Sequence, residues 1–313
     1  MKNILSELTI EILQKCPNAC EFCSSLSTRN AAPILPLEII KRVGTQAKTL
    51  GLRTVCISGG EPLCHPDIIQ ILNFFYEHSI YVKFYTSGQV ITNENHETAF
   101  TRWQLFPISG MGVIFGVHST IPSIHDALVG RQGAYELSMS SLRKSIELGY
   151  YTEVHIVPNK RNLHSLKQTV SELLSWGVNR ISFLRLVPQG FAKINLHNLL
   201  LTPDEKLELD NTLVELKNEC DNEKLRFGIP FSGAINSPQK CSAGNGKLII
   251  RYDGLVFPCE AFKDSRNSAF VLGDIRKDDL YTIFERSTSF PPLIGLKTAL
   301  SNSETCPAQL LYK

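Results

Sequence analysis

The sequence predicts an α/β fold: a parallel sheet of six strand–helix units curled into a partial, TIM-like (βα)6 barrel, followed by a small C-terminal α+β unit made of a β-hairpin plus helix. Three observations predict it. Short apolar, β-branched runs alternate with helix-period segments as far as Val187. The helix-period segments open or close on residues that cap or turn a chain. Beyond Val187 the alternation stops, and a strongly capped helix and a glycine-turned hairpin replace it.

Strands are expected at 7–13, 54–58, 80–86, 112–118, 152–157 and 179–187. Helices at 36–50 and 66–79 each open on a proline, which suits a first turn whose N–H has no helical partner. Helices at 134–148 and 162–176 follow. In the last, Leu163, Leu166, Val170, Leu173 and Leu174 share one face, and Gly177 stops it. One more helix is expected somewhere in 92–106. Right-handed crossovers cover such a sheet with helices and place ligands at the C-terminal ends of its strands. Thr202-Pro203-Asp204-Glu205 starts a helix that runs to about Cys220, with Thr202 as N-cap. Segments 247–251 and 255–258, split by Asp253-Gly254, read as the hairpin. The boundary is expected near Asn222, dividing the chain into a barrel at 1–222 and a C-terminal unit at 223–313.

A chain of 313 residues buries enough surface to need no disulfide framework. Its 43% hydrophobic and 20% charged residues are the proportions of a soluble globular protein. Lys and Arg total 32 against 30 Asp and Glu, so the net charge of +2 gives no sign of a polyanion-binding surface, and nothing calls for nucleic acid. Glu7 and Glu11 interrupt any N-terminal apolar run, which argues against a signal peptide. No stretch approaches the ~20 apolar residues that span a bilayer, so no membrane role is expected. The expected compartment is the cytoplasm, where the nine cysteines stay reduced and clustered ones serve as metal ligands.

Cys16-Pro17-Asn18-Ala19-Cys20-Glu21-Phe22-Cys23 spaces three thiols as Cys-x3-Cys-x2-Cys. Three thiolates on one short loop suit three irons of a four-iron cluster and leave the fourth iron open to chelate a cofactor. Structural zinc is the alternative, but it takes four ligands and this run supplies three. Ser58-Gly59-Gly60-Glu61-Pro62 follows the second strand as the cysteine loop follows the first, so both are expected at the same mouth. Its two glycines let the backbone approach a ligand closely.

Cys-x3-Cys-x2-aromatic-Cys followed by Gly-Gly-Glu-Pro resembles the signature of the radical S-adenosylmethionine (SAM) superfamily. The resemblance implies that Cys16, Cys20 and Cys23 hold a SAM-binding 4Fe-4S cluster and that Phe22 packs near the adenine. It implies that Gly59, Gly60 and Glu61, with Ser58 ahead of them, receive the methionine amino group through backbone oxygens. Cofactor contacts are also implied for Ser87 in Thr86-Ser87-Gly88, for Ser119 after the fourth strand, and for Arg185 on the sixth, near the cofactor carboxylate. A buried Ser or Arg that satisfies backbone carbonyls is the competing reading of these last residues. The implied chemistry is reductive cleavage of S-adenosylmethionine to methionine and a 5′-deoxyadenosyl radical that takes a substrate hydrogen atom. The electron would come from a donor such as flavodoxin or ferredoxin.

Cys241-x12-Gly254-x4-Cys259, with Cys306 later, resembles the SPASM and twitch extensions that hold auxiliary clusters. The shorter twitch version, with one auxiliary 4Fe-4S cluster, fits the cysteine count better. The resemblance implies that Gly254 turns the hairpin joining Cys241 to Cys259, and that Cys306-Pro307 closes the site. Gln309 stands where some relatives have a further cysteine, so either the fourth iron is open or another residue completes it.

Cys64, just past the Gly-Gly-Glu-Pro turn, is expected to face the cavity, where a thiol is a candidate catalytic hydrogen-atom donor; ordinary packing is the plainer reading. Cys56 is read as core, and Cys220 is open to either reading. His118 and His155 end strands at the mouth, Glu153 is a candidate acid or base, and Tyr85 lines the cavity or packs. His125-Asp126 resembles a pair that organises a loop in relatives. The expected substrate is a ribosomally made peptide undergoing crosslinking, oxidation or epimerisation, as SPASM and twitch relatives often modify such peptides. Only fifteen residues precede Cys16, so leader recognition is expected from a separate leader-peptide-binding protein or another surface. A small molecule (a sugar, an aminocyclitol or a cofactor precursor) is the alternative substrate. A non-enzymatic iron–sulfur or zinc protein is the alternative of another class.

Overall fold

The computed structural model describes residues 4–92, 95–98, 107–221, 223–228, 231, 241–264, 268–300 and 306–312. Strands β1 (Glu7–Glu11), β2 (Thr54–Ser58) and β3 (Tyr81–Thr86) open the sheet. The connection out of β3 carries a separate antiparallel hairpin, β4 (Gln89–Thr92) and β5 (Asn95–Thr98). Then come β6 (Met111–Gly116), β7 (Tyr151–Ile156), β8 (Arg180–Phe183) and β9 (Leu225–Phe227), and finally β10 (Lys247–Ile250), β11 (Leu255–Phe257) and β12 (Gly273–Asp274). The sheet order is β12-β11-β10-β1-β2-β3-β6-β7-β8-β9. All pairings from β10 to β9 are parallel, and only β11 and β12 run against their neighbours.

Period-2 alternation sorts the side chains. Leu8, Ile10, Val55, Ile57, Val82, Phe84, Val113, Phe115, Val154 and Ile156 point outward into one continuous core beneath the helices. The helices Leu37–Thr49, Ile68–Glu77, Ala134–Glu147 and Leu166–Ser175 supply the other half of that core. Glu7, Thr9, Glu11, Cys56, Lys83, Tyr85, Glu153, His155, Arg180 and Ser182 occupy the alternate, inward positions. A polar lumen therefore lies inside an apolar wall. The helix Pro203–Glu219 starts on a reciprocal capping box: Glu205 N donates to Thr202 Oγ1 at 3.2 Å and Thr202 N to Glu205 Oε2 at 2.7 Å. It crosses from β8 to β9, which the sequence did not suggest as a strand.

Two expectations are corrected. No helix forms at 95–98; these residues pair as β5, and 93–94 and 99–106 lie outside the described residues. The strand expected at 179–187 ends at Phe183. The chain leaves the sheet there, because Pro188 has no N–H for a ladder and Gly190, at φ +55, must pass against the cysteine loop. A Cβ on Gly190 would stand 2.6 Å from Cys23 O, and Phe191 N donates to that same oxygen at 2.8 Å.

The register of β10 on β1 fixes the placement of the C-terminal cysteines. Glu7 is level with Lys247, and Ile10 with Ile250. Cys241 precedes β10 and Cys259 follows the antiparallel β11, so both lie at the hairpin's open end, where the barrel strands begin. The Cys16–Cys23 loop leaves β1 at the other end. The two cysteine groups thus face each other along the lumen.

Candidate active site

The cysteine loop is held by backbone hydrogen bonds. Cys16 N donates to Thr28 O at 3.0 Å, Ala19 N to Val129 O at 3.0 Å, and Cys23 N to Cys20 O at 3.1 Å. Gly130, at φ +66, turns beneath the loop; a Cβ there would meet Ala19 O at 2.4 Å. Cys16 is buried and Cys20 and Cys23 are partly so. Burial pushes the thiols of Cys16 and Cys20 well up, and mutual repulsion between the cysteines adds to it. Iron charge is what lets such a trio exist as thiolates, so the donor set fits a metal cluster. Among the described residues, no three His, Cys, Asp or Glu side chains converge closely enough to hold a single ion.

The Gly-Gly-Glu-Pro turn packs directly on this loop. Gly60 N donates to Leu13 O and Glu61 N to Lys15 O, both at 2.7 Å. A Cβ on Gly59 would lie 2.4 Å from Leu13 O, and one on Gly60 2.1 Å from Lys15 O. The glycines are required by this approach of the chain to itself. The carbonyls of Gly59 and Gly60 meet no donor among the described residues, which fits them to receive an ammonium. The carbonyl of Glu61 accepts from Cys64 N at 2.9 Å, which leaves one of its lone pairs for a further donor. The fully buried Glu61 carboxylate ties β2 to β3. It accepts from Thr86 Oγ1 at 2.8 Å, Ser87 N at 2.7 Å, Ser87 Oγ at 2.6 Å and Leu63 N at 3.2 Å. Burial pushes its pKa up to about 7, against the pull of these four bonds.

Phe22 meets His118 edge to face, with ring centroids 4.2 Å apart, so the loop aromatic rests on the end of the β6 wall. Burial, then the nearby His125 and His155, lower the His118 pKa to about 3, and the ring is neutral. Ser58 is half-buried, and its hydroxyl has no partner among the described residues. Asp126 receives Gly133 N and Tyr135 N at 2.6 and 2.7 Å, the role of a loop organiser.

Four residues are placed otherwise than expected. Ser119 is fully buried, and its hydroxyl meets Ser165 Oγ at 3.0 Å and accepts from Ile121 N at 3.1 Å, so it is occupied within the wall. Arg185 lies past the end of β8, on the loop at the mouth, half-buried. The two β2-side thiols exchange roles. Cys64 packs against the main apolar core, whereas Cys56 holds an inward position opposite Lys83. Burial and then the carboxylate of Glu7 raise the Cys56 pKa to about 12. Alternation along Thr54-Val55-Cys56-Ile57-Ser58 carried the signal for Cys56.

At the far end, Cys241, Cys259 and Cys306 pack against one second apolar cluster with Ile249, Phe257 and Phe262. Glu260 accepts from Thr9 Oγ1 at 2.7 Å and pairs with Lys247 at 3.0 Å. Burial alone would raise its pKa; Lys247 and Thr9 outweigh this and hold it near 2. Lys263 carries the chain back to the cysteine loop, pairing with the buried Glu11 and donating to Ser25 Oγ at 2.6 Å. The sequence offered a hint of Glu11 in the alternation Glu7-Leu8-Thr9-Ile10-Glu11, but none of Lys263.

Comparison with known proteins decides the family. The family model described as "Radical SAM superfamily" matches residues 10–173, just over half of the chain. This chain belongs to the radical SAM superfamily. The model of the SPASM iron–sulfur cluster-binding domain matches residues 241–307. A PqqA peptide cyclase of Ruegeria pomeroyi is 25% identical over 255 residues, covering 80% of this chain and 66% of that one, just under two thirds of the relative's length. A PqqA peptide cyclase of Rhizobium meliloti is 22% identical over 284 residues, covering 90% and 73%. The fold is that of Streptococcus suis SuiB bound to precursor peptide SuiA, at TM-score 0.77 and 18% identity over 100% of this chain and 74% of that one. Native anSMEcpe with bound AdoMet shares it at TM-score 0.65 and 14% identity, over 91% and 82%. Membership in this superfamily implies a four-iron cluster and S-adenosylmethionine, and the SPASM match implies an auxiliary iron–sulfur cluster. No described helix is long and apolar enough to cross a membrane.

Proposed function

We propose that this chain is a radical SAM enzyme that modifies a ribosomally made peptide. The observation that carries the reading is the packing of the Gly-Gly-Glu-Pro turn onto the cysteine loop at one end of a polar lumen. Cys16, Cys20 and Cys23 would hold the cluster, the carbonyls of Gly59 and Gly60 the methionine amino group, and Ser58 and Phe22 the rest of the cofactor, while Ser87, whose N–H and hydroxyl both donate to Glu61, would hold the turn in place. The bound cofactors supply one-electron cleavage of the sulfonium and a carbon radical. The ring pairs Phe22–His118 and Tyr85–His155 would help to keep water from the reacting carbon.

Cys241, Cys259 and Cys306 would hold the auxiliary cluster at the lumen's other end. The division of the chain near residue 222 is supported by the SPASM match at 241–307, although β9, β10 and β11 hydrogen-bond into the barrel sheet. The peptide reading draws on relatives named PqqA peptide cyclase and on SuiB bound to its precursor peptide. A flavodoxin- or ferredoxin-like donor, a leader-binding partner and a cytoplasmic setting belong to the same reading.

The test is anaerobic reconstitution with iron counting, followed by assay of 5′-deoxyadenosine under reductant. Mass spectrometry of a short peptide encoded beside the gene then looks for a loss of hydrogens or a new crosslink. Iron-loaded protein that releases no 5′-deoxyadenosine defeats the reading.

A further inference from the structure

The lumen opens at its lower end, where the strands begin, into a cavity of about 290 Å³. Tyr81, Lys83, Ile114, Tyr151, Glu153 and Arg180 line it. Its charges are unevenly spoken for. Glu153 spends Oε2 on Arg180, at 2.7 and 3.2 Å, and Oε1 on His155 at 2.9 Å and Ser182 at 2.5 Å. That carboxylate is saturated, and so is the Arg180 edge facing it. Lys83 is different. It points inward from the middle of β3, between Cys56 on one side and Gly112 on the other. Among the described residues it has neither a hydrogen-bond nor an ion-pair partner. Gly112 carries no side chain, and the Tyr81 hydroxyl and the Tyr151 ring take up the space beside it, where a Cβ would stand 2.6 Å from Tyr81 Oη. The rings of Tyr81 and Tyr151 stand at the entrance at the starts of β3 and β7, on either side of β6, and their hydroxyls likewise have no hydrogen-bond partner among the described residues.

We propose that this cavity anchors the substrate by a carboxylate, with Lys83 as its counter-ion and Tyr81 and Tyr151 as its side walls. The proposal rests on the peptide reading and narrows it to a peptide that presents an acidic side chain or a free C-terminus to the lower end of the barrel. One unpaired ammonium, with the Tyr81 and Tyr151 hydroxyls as neutral donors, suits a monoanion, whereas a phosphate dianion draws a second cation or a helix N-terminus, and the one further cation in the lining, Arg180, is already paired with Glu153.

The test uses reconstituted enzyme and three probes in saturation-transfer NMR: N-acetyl-glutamate N-methylamide, its glutamine counterpart, and N-acetyl-glycylglycine. A carboxylate probe should bind the wild type, about tenfold more weakly to Lys83→Met, and within about threefold of wild type to Lys83→Arg. Preference for the glutamate probe assigns the side chain as the source of the carboxylate, and preference for glycylglycine assigns the C-terminus. Equal affinity in wild type and Lys83→Met, equal binding of the glutamine probe, or no binding by either carboxylate overturns the proposal. Thermal melting checks that each variant is folded. Release of 5′-deoxyadenosine by the wild type is measured in parallel. Its absence defeats the functional reading whatever the probes do. Its presence with unchanged affinity in Lys83→Met defeats only the carboxylate site.

Discussion

Lys263 and Glu11 form an ion pair that is almost wholly removed from water, the lysine side chain 5% and the glutamate 2% exposed. Ser25, two residues beyond Cys23, bridges them: its Oγ donates to Glu11 Oε1 at 2.8 Å and accepts from Lys263 Nζ at 2.6 Å. One lysine from the C-terminal region thereby pins both the end of β1 and the loop that follows the three cysteines. Removing one member leaves the other charge buried alone, so Lys263→Met should destabilise the protein by roughly 3–5 kcal/mol. The double variant Glu11→Leu/Lys263→Met should recover most of that loss. Urea unfolding of the four members of the cycle measures it; additive losses would show that the pair is not coupled.

A second prediction concerns Gly60. The nearest atom to its missing Cβ is a backbone oxygen, Lys15 O at 2.1 Å, and the backbone of the cysteine loop cannot rotate away as a side chain would. Gly60→Ala should cost about 1–3 kcal/mol by overpacking. It should also push the turn off the loop, so that reconstituted protein keeps its iron but loses 5′-deoxyadenosine release. Retention of full cleavage would mean that the contact is dispensable.

Acid should act through the buried histidines. His118 and His125 are lowered to about 3 and about 4 from an ordinary 6.5, in each case by burial first. The unfolded chain therefore binds protons that the folded chain refuses, and stability falls as pH drops below 6.5 until the folded-state values are reached. At pH 5 each ring should have cost about 2 kcal/mol. His125→Phe should flatten the slope of unfolding free energy against pH by about 1.2 kcal/mol per unit between pH 6 and 5. Urea midpoints at several pH values read this directly, and an unchanged slope would mean that His125 is protonated in the folded state.

Much of this was legible beforehand, for physical reasons. Strands β1, β2, β3, β6 and β7 announce themselves because their outward residues must be apolar to meet the helices, and the cysteine loop because its spacing is set by chemistry. The helix at Pro203–Glu219 shows in its capping box. What stayed hidden depends on partners distant in sequence. Ser119 finds Ser165, and Glu61 turns its side chain to Ser87, through packing that no local pattern encodes. Cys56 faces the lumen because it alternates with Val55 and Ile57 along β2, and Cys64, past the turn, packs against the main core. The early end of β8 reflects the need to bring Gly190 under Cys23, a tertiary demand that overrides a run of strand-forming residues.

The C-terminal cysteines give the last prediction. Cys241 and Cys259 both lie at the open end of the β10–β11 hairpin, against one apolar cluster and at the opposite end of the strands from Cys16, Cys20 and Cys23. The two sites share no ligand, so they should lose metal independently. Cys241→Ala and Cys259→Ala should each lower the iron content from about eight to about four per chain if both sites hold four-iron clusters. Slow cleavage of S-adenosylmethionine without substrate should persist, because the loop and the Gly-Gly-Glu-Pro turn are untouched. Cys20→Ala should do the reverse, abolishing cleavage while the iron at the far site remains. Iron and sulfide analysis with low-temperature electron paramagnetic resonance separates the cases. If Cys241→Ala and Cys259→Ala both keep full iron, those cysteines are packing residues of the second apolar cluster and the auxiliary site is elsewhere.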